Sequence, residues 1–95
     1  MDIRRGDVVR SLAGHDKDTL FCVVDTDGEF LLLANGKERK LNSPKRKRAK
    51  HAQRAGSSDH PVFLRLKSGD PVGDNEVRKA LAAFRDERNQ QSRRE

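Results

Sequence analysis

The stretch LFCVVDTDGEFLLLANGKERKL, residues 20–41, decides the fold. Its two apolar segments are punctuated by Asp27-Gly28 and Asn35-Gly36. Both dipeptides accept the positive φ of a type I′ turn, so the stretch predicts two hairpins and three antiparallel strands. With two-residue turns at both places, Phe21, Val23, Phe30, Leu32, Arg39 and Leu41 share one face, and Cys22, Val24, Leu31, Leu33, Glu38 and Lys40 share the other. Both faces of the first two strands are apolar. A three-stranded sheet cannot bury two such faces alone, so it must curl or be covered by other segments.

The flanking segments offer that cover. GDVVRSL (6–12) reads as a strand ending at Ala13-Gly14, followed by the polar loop 15–18. HPVFLRL (60–66) alternates Val62, Leu64 and Leu66 against Phe63 and Arg65, a further strand signal with Pro61 at its start. Five short strands joined by tight turns predict a mainly β fold, a small barrel. Asp74 is placed to cap a helix in which Val77, Ala80, Leu81 and Phe84 fall at i, i+3, i+4 and i+7. That short C-terminal helix should lie on the barrel. The expected organisation is a barrel over 1–68 that includes a basic arm at 44–54, a packed helix within 69–88, and a disordered tail at 89–95 that lacks apolar periodicity.

Composition narrows the class. Charged residues make up 38% of the 95 and AVILMFWYC only 33%, so the apolar side chains must be concentrated in a small core. The longest apolar runs, 20–24 and 30–34, are far shorter than the roughly 20 residues a bilayer requires, and MDIRRGD shows no signal segment. A cytoplasmic protein with no membrane partner is expected. The single Cys22 excludes an internal disulfide and fits a reducing compartment.

Charge is distributed unevenly. From Lys37 to Arg54 stand nine cations (Lys37, Arg39, Lys40, Lys45, Arg46, Lys47, Arg48, Lys50, Arg54) against Glu38 alone, a net +8, whereas the other 77 residues carry 12 basic and 14 acidic side chains. The protein's +6 is therefore local. A positive stripe on a near-neutral body is the footprint of a polyanion-binding site. Pro44 disfavours helix at Ser43 and interrupts strand pairing, so PKRKRAKHAQR (44–54) is expected to leave the sheet edge as an extended arm. Lys supplies reach along a phosphate backbone, and Arg adds a planar fork.

Catalysis is not expected. His15, His51, His60 and Cys22 lack paired metal-ligand spacing, and neither a nucleophile elbow nor a phosphate-cradling Gly-Lys-Ser motif occurs. Asp16, Asp18, Asp25 and Asp27 read as turn residues. No cofactor, metal or small-molecule substrate is implied. Phe21, Phe30, Phe63 and Phe84 sit in apolar periodic segments and are assigned to the core.

GDVVRSLAGHDKD (6–18) followed by LFCVVDTDGEFLLLANGKERKL resembles a KOW motif with its following strands. The nearer likeness is to small bacterial KOW-domain RNA-binding proteins, which are similar to a group of archaeal and eukaryotic large-subunit ribosomal proteins. The matching residues are Gly6, Val8, Val9, Gly14, Asp16, Lys17, Asp27, Gly28, Pro44, Lys45, Arg46, Lys47, Lys50 and His51, spread over roughly residues 3–53. NEVRKAL (75–81) is similar to the tail of some members. Asp18 departs from the pattern, standing where the family usually has a second loop glycine that suits positive φ.

The resemblance implies an SH3-like (KOW) barrel that binds structured RNA, ribosomal RNA or the ribosome, in translation. The residues assigned to RNA are Lys37, Arg39, Lys40, Lys45, Arg46, Lys47, Arg48, Lys50 and His51, with Gly14, His15 and Lys17 as a second loop. His51 is a stacking residue or donor, or else an ordinary turn histidine; Gly14 with Lys17 is a binding loop or a plain tight turn. The alternatives are a DNA-binding or transcription-elongation module on the same barrel, and a protein-interaction adaptor. An adaptor for proline-rich peptides needs an aromatic groove, for which a chain without Trp or Tyr has little material. PKRKRAK also fits a nuclear-import signal.

Overall fold

Five strands form one antiparallel sheet in the computed structural model, which describes residues 3–56 and 60–93. They are β1 (Val8–Ser11), β2 (Leu20–Asp27), β3 (Phe30–Ala34), β4 (Lys45–Arg48) and β5 (Ala52–Gly56), in the order β4-β3-β2-β1-β5. A 3₁₀ turn (Ala49–His51) joins β4 to β5, and two helices follow, α1 (Pro61–Ser68) and α2 (Asp74–Arg93). The arrangement is mainly β, a small SH3-like barrel with a C-terminal helix.

The sheet buries both of its faces, as its two-sided apolar pattern requires. Val9, Phe21, Val23, Leu31, Leu33 and Ala52 pack together on one side. On the other side Val8, Cys22 and Ala34 meet α1 through Val62, Phe63 and Leu66, and α2 through Val77, Ala80, Leu81 and Phe84. The apolar stripe expected of the C-terminal helix is thus buried on the barrel.

The expected register is corrected in the central hairpin. The two-residue loop is Gly28-Glu29, one position later than expected, so Asp27 pairs with Phe30. The ladder then slips between Asp25↔Leu32 and Val23↔Leu33, leaving Val24 as the extra residue of a bulge. These shifts place Leu31 and Leu33, rather than Phe30 and Leu32, beside Phe21 and Val23. Phe30 and Leu32 are only half-buried.

Two expected strands are replaced by others. Residues 37–41 are not the third strand: the Asn35 side chain folds back, its Oδ1 accepting from the N–H groups of Lys37 and Arg39 (3.0 Å each), while Asn35 N–H donates to Arg39 O (2.9 Å). The Asn-Gly turn is therefore closed by its own side chain. Gly36, at φ +77, is pressed against α2, where a Cβ would overlap the Asp74 carbonyl oxygen. Leu41 N–H donates to Asp74 Oδ1 (2.8 Å), so Asp74 fastens this loop rather than capping its own helix. Glu76 reaches back to the Gly73 N–H at 3.1 Å, half of a capping box.

Residues 60–66 are not a strand but the start of α1. The His60 side chain accepts from Val62 N–H (3.2 Å), Pro61 takes the first helical position, and Gly69 ends the helix at φ +81. Proline just inside the start and glycine just past the end is the ordinary helix asymmetry, and it outweighs the short alternation. The fourth and fifth strands come instead from the basic run, which is not a free arm. The helix assignment of α2 continues to Arg93 through much of the expected tail, whose last two residues, 94 and 95, lie outside the described residues.

Candidate nucleic-acid interface

β4 alternates, and its two sets of cations have different fates. Lys45 and Lys47 point toward the β1–β2 loop. Lys47 is only 9% exposed; its Nζ donates to the Ala13 carbonyl (3.1 Å) and lies 3.4 Å from Asp16. Lys45 Nζ donates to the other Asp16 oxygen, and Ser11 Oγ donates to Asp16 at 2.7 Å. Burial disfavours charge on Asp16, but the hydrogen bonds from Lys45 and Ser11 and the charges of both lysines outweigh it. They hold the carboxyl at about 2. This clasp pins the β1–β2 loop to the edge strand, so Lys45 and Lys47 are structural cations rather than free phosphate contacts.

Arg46 and Arg48 point outward. Their guanidinium carbons stand 4.1 Å and 5.0 Å from the centroid of the Phe30 ring, and their charges are 3.5 Å from Asp27 and 3.9 Å from Glu29. Phe30, assigned to the core from sequence, is instead the floor of an arginine-lined patch, because the hairpin shift turned it outward. Both arginines remain about half exposed, so these surface ion pairs are weak competitors for a polyanion.

The remaining predicted residues lie on loops that the fold brings together. Lys37, Arg39 and Lys40 are exposed on the turn after β3; Gly14, His15 and Lys17 are exposed on the β1–β2 loop. His15, Thr19, Phe21 and Arg39 line one depression of about 260 Å³, bordered by Lys45, Asp16 and Glu38. Lys50 and His51 are exposed on the 3₁₀ turn, which is tied to the same loop by Leu12 N–H donating to His51 O (2.9 Å). Leu12, 40% exposed, lies at that junction. Among the described residues, Lys17, Arg39, Lys40 and Lys50 have no acidic partner within ion-pair distance, and Lys37 is 3.9 Å from its exposed neighbour Glu38.

Asp18 adopts φ +72, the conformation expected of the glycine it replaces in the resemblance. Its N–H donates to Ser11 O (2.8 Å), which fixes the loop over the end of β1.

Sequence reasoning missed a further set of cations. Arg10, Arg78 and Arg85, together with Arg54 of the basic run, line depressions adjoining the first one. One signal pointed to part of this set: Arg78 and Arg85 are seven residues apart on one side of α2.

No family model matches the chain, and no curated protein matches it.

Proposed function

We propose that this barrel binds structured RNA through the face built from the β1–β2 loop, residues 37–40 and the 3₁₀ turn, as the resemblance to KOW-domain RNA-binding proteins implies. The observation that carries the reading is the meeting of His15 and Arg39, from loops far apart in sequence, in one depression, with Lys17, Lys40 and Lys50 exposed on the loops and 3₁₀ turn around it. Phosphates are neutralised by Arg39, Lys40, Lys50 and Lys17, while His51 and Leu12 offer flat or apolar surface to a sugar or base. The partner that fits the resemblance is ribosomal RNA or the ribosome, in the cytoplasm.

Replacing Arg39, Lys40 and Lys50 together by Gln should leave the melting transition unchanged, because all three are exposed. RNA affinity should fall and the slope of log K against log salt should become shallower by about 1 for each contact removed. An unchanged affinity and slope would overturn the assignment of this face.

A further inference from the structure

We infer that the cleft between β1, β5 and α2 is a second phosphate-binding site, occupied by the backbone of the same RNA. This rests on the RNA-binding reading and extends it to a surface that includes the C-terminal helix. The cleft encloses about 550 Å³, and Arg10 from β1, Arg54 from β5 and Arg85 from α2 converge on it.

Two of these arginines are held in place before any ligand arrives. Arg10 donates to Gln53 Oε1 at 2.6 Å, and Arg54 Nε donates to Asp7 Oδ2 at 3.3 Å. Asp7 is itself buried and also accepts from the Arg4 N–H at 2.9 Å, and the Arg54 guanidinium meets it through Nε. Its two terminal nitrogens have no acceptor among the described residues and form the planar fork that matches phosphate oxygens. Preorganised donors lose little side-chain entropy on binding. Among the described residues, the one acid lining the cleft is Asp18, exposed and 3.9 Å from Arg10.

The cleft is continuous with the face already described. It shares Leu20 and Arg85 with an adjoining depression that holds Lys37 and Arg78, and that depression shares Thr19 and Glu38 with the one lined by His15 and Arg39. A track of cations therefore runs from β5 across α2 to the turn after β3. A chain of phosphates, rather than one small anion, matches a surface of that form.

The test uses the full chain and a fluorescent RNA hairpin of about 30 nucleotides, with anisotropy measured across a KCl series. Arg10→Gln with Arg85→Gln should weaken binding roughly tenfold at 100 mM KCl and make the salt slope shallower by about 2. Asp18→Asn removes the opposing charge while keeping a residue that tolerates positive φ, so it should tighten binding. Arg54 is left intact because it pairs with buried Asp7, and thermal melting checks each variant's fold. If Arg10→Gln/Arg85→Gln binds as the parent does while Arg39→Gln/Lys40→Gln binds more weakly, the cleft is excluded and the first face stands. If the parent protein does not bind the hairpin, both readings fall. ATP titrated in place of RNA separates the sources of phosphate: ATP binding that is lost in Arg10→Gln/Arg85→Gln, with RNA binding unaffected, would make the cleft a nucleotide site and overturn the RNA assignment.

Discussion

At the scale of single residues, Asp16 is where the sequence and the fold disagree most usefully. Read in the sequence, it is one polar loop residue among several, and Lys45 and Lys47 are two cations of a binding run. In the fold they form one clasp. A carboxyl held at about 2, against about 3.9 for an unperturbed Asp, corresponds to roughly 2 to 3 kcal/mol of folding stability. Because the folded-state value lies below the unfolded one, that contribution is complete above about pH 5 and disappears as the pH falls through 4 toward 2. Asp16→Asn should therefore cost about 2 to 3 kcal/mol in urea unfolding at pH 7, and should show a flatter loss of stability between pH 5 and 2 than the parent. A variant as stable as the parent would show that the clasp is not made in solution. Cys22 gives a second residue-scale expectation. Burial pushes its thiol up to about 12, so it should react with a disulfide reagent only as fast as the domain unfolds. Rapid labelling under native conditions would contradict its place beneath the helices.

At the scale of elements, the strong periodic signals survived and the short ambiguous ones did not. β1, β2, β3 and the stripe on α2 were legible because each is an apolar segment bounded by turn residues or carrying a full helical period. The segment 60–66 is ambiguous in sequence because Val62, Leu64 and Leu66 alternate over too few residues to distinguish strand from helix. The decisive marks were Pro61 and Gly69 at its two ends. The two readings make opposite demands on neighbouring residues: a strand puts Leu64 with Val62 and Leu66 on one buried face, whereas α1 leaves Leu64 46% exposed and Phe63 fully buried. Leu64→Asp should change stability by less than about 1 kcal/mol, and Phe63→Ala should cost about 3 to 5 kcal/mol by chemical denaturation. The reverse ranking would restore the strand. The strands of the basic run are hidden in the sequence for a different reason. A strand of alternating Lys and Arg has no apolar face to announce it. It is stabilised by pairing with β3 and by Asp16, and neither interaction is visible locally.

At the scale of the whole molecule, the local excess of positive charge is divided among distinct roles. Lys45 and Lys47 close the barrel, Arg46 and Arg48 stack on Phe30, and Lys37, Arg39, Lys40 and Lys50 remain exposed on loops, while the ninth, Arg54, pairs with buried Asp7. Composition revealed the excess, but only the fold shows how much of it is already neutralised. It also adds Arg10, Arg78 and Arg85, which come from segments whose net charge is unremarkable. If the proposed track binds RNA, recognition should depend on shape as well as on charge, and the two contributions separate with salt, since the phosphate attraction is screened while shape-dependent contacts persist. The most direct test is fluorescence anisotropy of the full chain against a structured ribosomal RNA fragment and a duplex DNA of equal length, from low salt to about 150 mM KCl. The account predicts tighter binding to RNA, with the preference retained at the highest salt. Equal binding to both, vanishing as salt rises, would show a generic polycation and contradict it.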